Sequence, residues 1–244
     1  MKNKFSFITI DQMKELDRLM INEFGISLIQ MMENAGRTLA QLSQDYLPNK
    51  LPDSPKISIL CGSGNNGEGG MVAARHLSNR GFDITVVLMA EASKLKPIPE
   101  KQWNILSALP VRQIIQASAT QLEKLIAKSD LLIDAMIGYG LKGALHGQTK
   151  EAVKMLTRFP SKIIISLDAP SGFKFDKKME QSFFVQARAT LTLALPKVGM
   201  DNSENKMSLG DLYLGDISVP AKLYDMIGLP YSDPFQGSPY IRIS

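Results

Sequence analysis

The stretch that decides the fold is residues 57–81, which read ISILCGSGNNGEGGMVAARHLSNRG. Its first five residues are a short apolar run, which predicts a buried strand. A glycine-rich loop follows, and residues 70–80 are predicted as a helix that ends at Gly81. The loop contains the pattern GxGxxG at Gly62, Gly64 and Gly67. Between a strand and a helix this pattern favours a phosphate-bearing ligand, because glycine lets the backbone approach closely and the helix offers free N–H groups.

Outward from this stretch, apolar runs continue to alternate with helices. Helices with capping boxes are predicted to begin after Thr9, Ser27 and Ser118, and residues 91–101 are predicted as a surface loop before a helix at 103–109. This alternation is typical of a Rossmann-like α/β fold, a three-layer sandwich with a mostly parallel sheet and helices on both faces. Strands are predicted at residues 57–61, 84–89, 111–115, 131–134, 163–168, 190–195 and 212–214, the last as an edge strand.

Length and composition are consistent with one such unit. The 244 residues are predicted to form a single domain, with a core at about 9–220 and a loosely held tail from 230 to 244. The net charge is +4 without a long basic run, so no nucleic-acid partner is expected. No signal peptide and no apolar run of membrane-spanning length is present, so we expect no membrane partner and a cytoplasmic location. The one cysteine, Cys61, is expected to be buried and unreactive.

Two predicted strands end in an aspartate that a turn-rich loop follows. Asp134 precedes a glycine-studded loop, and Asp168 precedes Pro170, Ser171 and Gly172. In a parallel sheet these strand ends lie at one edge, where a carboxylate is suited to acid–base chemistry or to a cation. Capping of the next turn explains Asp134 as well, and a proline turn explains the loop that begins at Asp168. If the loops converge, Asn66, Asp134 and Ser171 could offer hard oxygen ligands to a monovalent cation; sequence order leaves open that they do not.

Taken together, the motifs resemble the NAD(P)H-hydrate epimerase family, also called the YjeF N-terminal domain. The resemblance runs from about Thr9 to Pro220, nearly the whole chain. Several separate motifs in the correct order are more specific than a glycine pattern alone. They are residues 32–36, 64–67, 72–77, 134–135, 138–143, 168–172, 196–197 and 210–220.

The resemblance implies an enzyme that interconverts the R and S epimers of hydrated NADH or NADPH, a nicotinamide nucleotide repair reaction. It also implies a homodimer and a bound potassium ion, with Asn66, Asp134 and Ser171 as the ion's ligands. Asp134 or Asp168 is expected to act as the acid–base catalyst. Substrate contacts are expected from Asn65, Asn66, Gly67, Glu68, Gly69, Gly138, Tyr139, Gly140, Leu141, Lys142, Gly143, Ala144 and Asp168.

One departure from the family pattern leads to an alternative function. The family's loop usually reads Asn-Asn-Gly-Gly-Asp-Gly, whereas this chain has Glu68 and Gly69 at its fourth and fifth positions. We therefore expect a slower epimerase that still binds the nucleotide. The alternative is a catalytically weak or silent nucleotide-binding or scaffold module of the same fold. A further reading, an NAD-dependent oxidoreductase with Glu91 as a ribose-binding acid, is weakened because no second catalytic domain is apparent.

Overall fold

The sheet of this protein has eight strands, seven of them parallel. The structure is a computed structural model that describes residues 6–48, 53–141, 143–175 and 183–244. Within these residues the strands lie in the order β3-β2-β1-β4-β5-β6-β7-β8, and β8 runs antiparallel to its neighbour. In chain order they are β1 Lys56–Cys61, β2 Asp83–Leu88, β3 Val111–Ile115, β4 Leu131–Ala135, β5 Ile164–Leu167, β6 Ala189–Leu193, β7 Asp211–Gly215 and β8 Tyr240–Arg242.

Helices cover both faces of the sheet, which confirms the predicted three-layer α/β fold. Residues of α1 to α4 and of α8 pack with one face, whereas α5 and α6 pack with the other. Neighbouring residues of a central strand point to opposite layers, as Ile59 and Leu60 do. The helices are α1 Ile10–Asn22, α2 Leu28–Asp45, α3 Asn65–Asn79, α4 Pro97–Leu106, α5 Ala119–Lys128, α6 Gly147–Leu156, α7 Lys206–Leu209 and α8 Ala221–Met226.

The predicted helix starts are confirmed where a capping box marks them. Thr9, Ser27 and Ser118 each stand at an N-cap, with a glutamine three residues later completing the box. The helix α4 begins six residues before the predicted position, inside the stretch predicted as a loop. Pro97 occupies its first turn, where a missing N–H costs nothing. The helix α6 was not among the predicted elements.

The helix α3 begins at Asn65, five residues before the predicted start. The glycines of this stretch, which propensity assigns to a loop, are helical because they allow close packing. A Cβ on Gly70 would lie 2.6 Å from the Ala135 side chain and 2.9 Å from the sulfur of Cys61. On the opposite side, a Cβ on Gly36 of α2 would meet Val72 at 2.5 Å. Tertiary packing therefore overrides the low helix propensity of glycine here.

Two expectations about the chain's end are wrong. The strand β7 is not at the edge, because β8 pairs with it through Leu214 and Ile241. The tail from residue 230 onward is not loosely held, since it forms this edge strand and buries Phe235. Within the described ranges, no helix combines the length and apolar character that crossing a membrane requires.

Candidate active site

A cavity of about 660 Å³ opens at the carboxyl ends of the central strands. The chain runs outward from β1 to β3 and then returns to β4, so the strand order reverses between β1 and β4. Ligands of open α/β sheets bind at such a reversal. The cavity extends from Asp168, just beyond β5, and Leu193, the last residue of β6, to Gln116, just beyond β3. Its roof includes side chains of α1 and α2, among them Met13 and Met32.

Glycines bring the loop after β1 against the loop after β4. A Cβ on Gly62 would collide with the carbonyl oxygen of Met136, and one on Gly67 would collide with the carbonyl oxygen of Gly62. This close approach places Gly64, Asn65 and Asn66 on the cavity wall. The first turn of α3 therefore points its free N–H groups toward the cavity, an arrangement that favours an anionic ligand.

Asp134 lies beneath the cavity and is completely buried. Its carboxylate accepts hydrogen bonds from the Ser171 hydroxyl at 2.6 Å, the Ser171 N–H at 2.7 Å, the Ser166 hydroxyl at 3.0 Å and the Met136 N–H at 3.3 Å. Burial raises the pKa of this carboxyl, although these hydrogen bonds act in the opposite direction. With no exposed surface, Asp134 orders the loops around it and supplies no group to a substrate in the cavity.

Asp168 reaches the cavity and forms a buried ion pair with Lys197. The Lys197 ammonium group donates to Asp168 Oδ1 at 2.5 Å, to the Leu193 carbonyl at 2.8 Å and to the Thr192 hydroxyl at 3.1 Å. Lys197 is fully buried, and Asp168 is 4% exposed. The backbone of Asp168 is left-handed, with a φ of 64°, a conformation that is uncommon for residues other than glycine. The pair places one ionised carboxylate at the cavity surface.

Lys197 belongs to one of the motifs that resemble the family, but the sequence alone predicts no role for it. Its position in the sequence indicates that it is buried, because it follows shortly after the buried strand β6 and the residue before it is proline. A lysine so close to an apolar strand end is expected to be buried with a partner, since an unpaired buried ammonium group is too costly.

Tyr139 connects this ion pair to the first helix. Its backbone N–H donates to Asp168 Oδ2 at 2.8 Å, and its hydroxyl donates to Asp17 Oδ2 at 2.5 Å. The Lys197 nitrogen lies 5.8 Å from the centre of the Tyr139 ring. Asp17 lines the cavity but was missed in the sequence. The available signal was its place on α1, where Met13, Leu16 and Met20 on either side are buried.

Residues 28–199 match the sequence family described as YjeF-related protein N-terminus, which is well over half of the chain. The protein belongs to this family.

Relatives of this YjeF-related protein resemble it over nearly its whole length. It is 36% identical to an NAD(P)H-hydrate epimerase of Dehalogenimonas lykanthroporepellens, with 97% of this chain and 92% of that protein covered. It is 32% identical to an NAD(P)H-hydrate epimerase of Rhodopirellula baltica, with 88% and 86% covered. The crystal structure of yeast ynu0 superposes with a TM-score of 0.82 at 24% identity, covering 97% of this chain and 99% of the yeast chain, and so supports the fold.

The predicted site residues of this YjeF-related protein fall into three groups. Asn65, Asn66, Gly138, Tyr139, Gly140 and Asp168 line the cavity. Asp134 and Ser171 contact each other below it. Gly67, Glu68, Gly69, Leu141, Gly143 and Ala144 do not line it, and Lys142 lies outside the described residues. The loop after β1 is shorter than predicted, so its last glycines turn into the helix and away from the ligand space.

The chain departs from the family pattern at Glu68 and Gly69. Both residues are buried in the first turns of α3. A Cβ on Gly69 would lie 2.6 Å from the Leu167 side chain. Glu68 has no exposed surface, and neither carboxylate oxygen has a hydrogen-bond partner among the described residues. Burial raises the pKa of Glu68 to about 8. Neither position supplies a group to the cavity.

Proposed function

We propose that this YjeF-related protein interconverts the R and S epimers of hydrated NADH and NADPH. The relatives that carry the name NAD(P)H-hydrate epimerase cover most of the chain. The observation that carries the proposal is the Asp168–Lys197 ion pair at the cavity surface. It places an ionised carboxylate within reach of a ligand, and this is the group that epimerisation requires.

The shape of the cavity is consistent with a dinucleotide substrate. Its middle lies at the first turn of α3, where free N–H groups can donate hydrogen bonds to the diphosphate. One end holds the Asp168–Lys197 pair and suits the reacting ring. The other end, beyond β2, is lined by Glu91, Lys94 and Lys96, polar groups that suit the ribose and phosphate of the adenosine half.

The chemistry requires proton transfer but no net redox change. In the substrate, the carbon that bears the hydroxyl group is bonded to the ring nitrogen. When that hydroxyl receives a proton, the C–O bond breaks, water leaves, and the nitrogen lone pair forms a planar C=N⁺ bond. Water then adds to the other face and gives up a proton, which regenerates the hydrate with inverted configuration. Asp168, ionised by its contact with Lys197, can accept this proton.

We propose further that a potassium ion binds beside Asp134 and Ser171. The donor chemistry fits a monovalent ion, since the described residues contain no cluster of three or more His, Cys, Asp or Glu side chains. Asn66 on the cavity wall has a buried amide nitrogen without a hydrogen-bond partner among the described residues, and a 180° rotation of the amide would present its oxygen there. Asn66, Asp134 and Ser171 would hold the ion, and its charge would fix the loops and favour anions nearby.

The alternative, a silent binding module, rested on Glu68 and Gly69. Neither residue lines the cavity, so the difference from the family pattern at these two positions removes no functional group from the cavity. This favours a working enzyme over a scaffold. The homodimer and the cytoplasmic location stay predictions.

The proposal is tested by supplying one purified epimer of hydrated NADH and following the appearance of the other by chromatography, with the rate in buffer subtracted. We expect conversion by the natural protein and loss of at least about 100-fold in kcat for Asp168→Asn. Glu100→Gln, an exposed change on α4, serves as the control and should convert normally. A natural protein no faster than buffer, with either epimer and with potassium present, would refute the function.

A further inference from the structure

Asp17 is an acidic side chain on the cavity wall that the function proposed above leaves without a role. It projects from α1, whereas Asp168 projects from the end of β5. Tyr139 spans the space between them, with its backbone N–H on Asp168 and its hydroxyl on Asp17. The two carboxyl groups therefore face the reacting end of the cavity from different layers of the fold, one from the helical roof and one from the sheet.

The surroundings of the two carboxyl groups differ in charge. Asp168 contacts the Lys197 ammonium group directly. Among the described residues, Asp17 has no such cation in contact. Burial raises its pKa; the Tyr139 hydrogen bond and the more distant Lys197 oppose this, and the negative charge of Asp168 adds to it. Two carboxyl groups at one end of a cavity, one in contact with a cation and one without, suit the two roles of an acid–base pair.

We propose that Asp17 is a second catalytic residue, an inference that rests on the proposed epimerase function. Asp17 exchanges a proton with the substrate on the side of the cavity that α1 covers, and Asp168 does so on the side of the sheet. Epimerisation needs a proton donor on the face from which water leaves and a proton acceptor on the face to which water returns. In one direction, Asp17 gives its proton to the leaving hydroxyl, and Asp168 takes a proton from the incoming water. This turnover leaves Asp17 ionised and Asp168 protonated, and proton exchange with solvent restores both groups before the next one. The opposite conversion runs through the same steps in reverse, so both epimers are substrates.

Tyr139 is a positioning residue in this scheme. Its hydroxyl hydrogen bond fixes the direction of the Asp17 carboxyl, and its N–H fixes that of Asp168. Loss of the hydroxyl in Tyr139→Phe leaves the Asp168 contact intact, because that contact uses the backbone. The variant should therefore lose part of the rate, about 10-fold, and keep the ion pair.

The test compares Asp17→Asn and Asp17→Glu with Asp11→Asn, which changes an exposed aspartate of the same helix. Initial rates of both conversions, kcat and KM are measured for hydrated NADH, and affinity for the unreactive NADH is measured by calorimetry. We expect Asp17→Asn to lower kcat by about 100-fold or more in both directions with affinity within about 3-fold. Asp17→Glu should recover part of the rate, and Asp11→Asn should match the natural protein.

The outcomes separate this inference from the function on which it rests. If the natural protein does not epimerise, the proposed function fails and this inference fails with it. If the natural protein is active and Asp17→Asn retains kcat within about 3-fold, the function stands and the catalytic role of Asp17 is refuted. A loss of affinity that accounts for the whole loss of rate also refutes it, since that identifies a structural residue. If Asp17→Asn does not fold, Tyr139→Phe provides the test. An unchanged kcat in that variant refutes the proposed acid–base pair of Asp17 and Asp168.

Discussion

Replacing Glu68 by glutamine should make the protein more stable at alkaline pH. Glu68 lies in the first turns of α3 with no exposed surface and no hydrogen-bond partner for its carboxylate among the described residues. Burial of a charge without a partner is costly, so the group keeps its proton instead and its pKa rises to about 8. Glutamine has the same shape and is never ionised.

The size and sign of the effect follow from the two pKa values of Glu68. The unfolded chain has an ordinary pKa of 4.5, and the folded protein has about 8. Between these values the unfolded chain releases a proton that the folded protein retains, so the free energy of unfolding falls as pH rises. At about 1.36 kcal/mol per pH unit, the loss between pH 5 and pH 8.5 is about 4 kcal/mol. The stabilising contribution is complete below pH 4.5 and lost by about pH 8.

Urea unfolding of both proteins at several values between pH 5 and pH 8.5 measures this effect. Other titrating groups contribute equally to both proteins, so the difference in unfolding free energy isolates position 68. We expect that difference to grow by about 4 kcal/mol in favour of Glu68→Gln. The control Glu100→Gln should show a constant difference from the natural protein. A difference for Glu68→Gln that is equally constant would show that the Glu68 carboxyl has a partner or reaches water.

Three further predictions concern the cavity and its support. Lys197→Met should lower the unfolding free energy by about 3 kcal/mol and abolish epimerisation, because it leaves Asp168 buried without its cation. Urea unfolding and the rate assay measure the two effects. A fully active variant would contradict this prediction. Potassium should raise the melting temperature more than tetramethylammonium at equal ionic strength, and Asp134→Asn should cancel the difference; equal curves for the natural protein would count against the ion. Gly69→Asp should lower the unfolding free energy by about 1–3 kcal/mol, since its Cβ would lie 2.6 Å from the Leu167 side chain. Adding Leu167→Ala to this variant should recover part of that loss. If the losses of the two single variants simply add, the contact is not the cause.

Local patterns determined the elements and their type. The capping boxes at Thr9, Ser27 and Ser118 were readable because a cap involves only residues close in sequence. Short apolar runs predicted the parallel strands, since a strand covered on both faces needs apolar residues throughout. The predicted strand-end position of Asp168 likewise follows from the run before it. The sequence pattern placed the start of α3 too late, because tight packing outweighs the low helix propensity of glycine there. Gly70, for example, packs against β4.

What faces the cavity was decided only by the tertiary structure. Asp134 and Asp168 look alike in the sequence, each an aspartate at the end of an apolar strand, yet one is sealed beneath the site and the other reaches it. The difference arises from residues far along the chain, because Ser171 hydrogen-bonds the Asp134 carboxylate below the cavity whereas Lys197 pairs with Asp168 at the cavity surface. Asp17 joins the site only because α1 folds over it. Contacts at such separations depend on the whole chain's packing, and no local spacing encodes them.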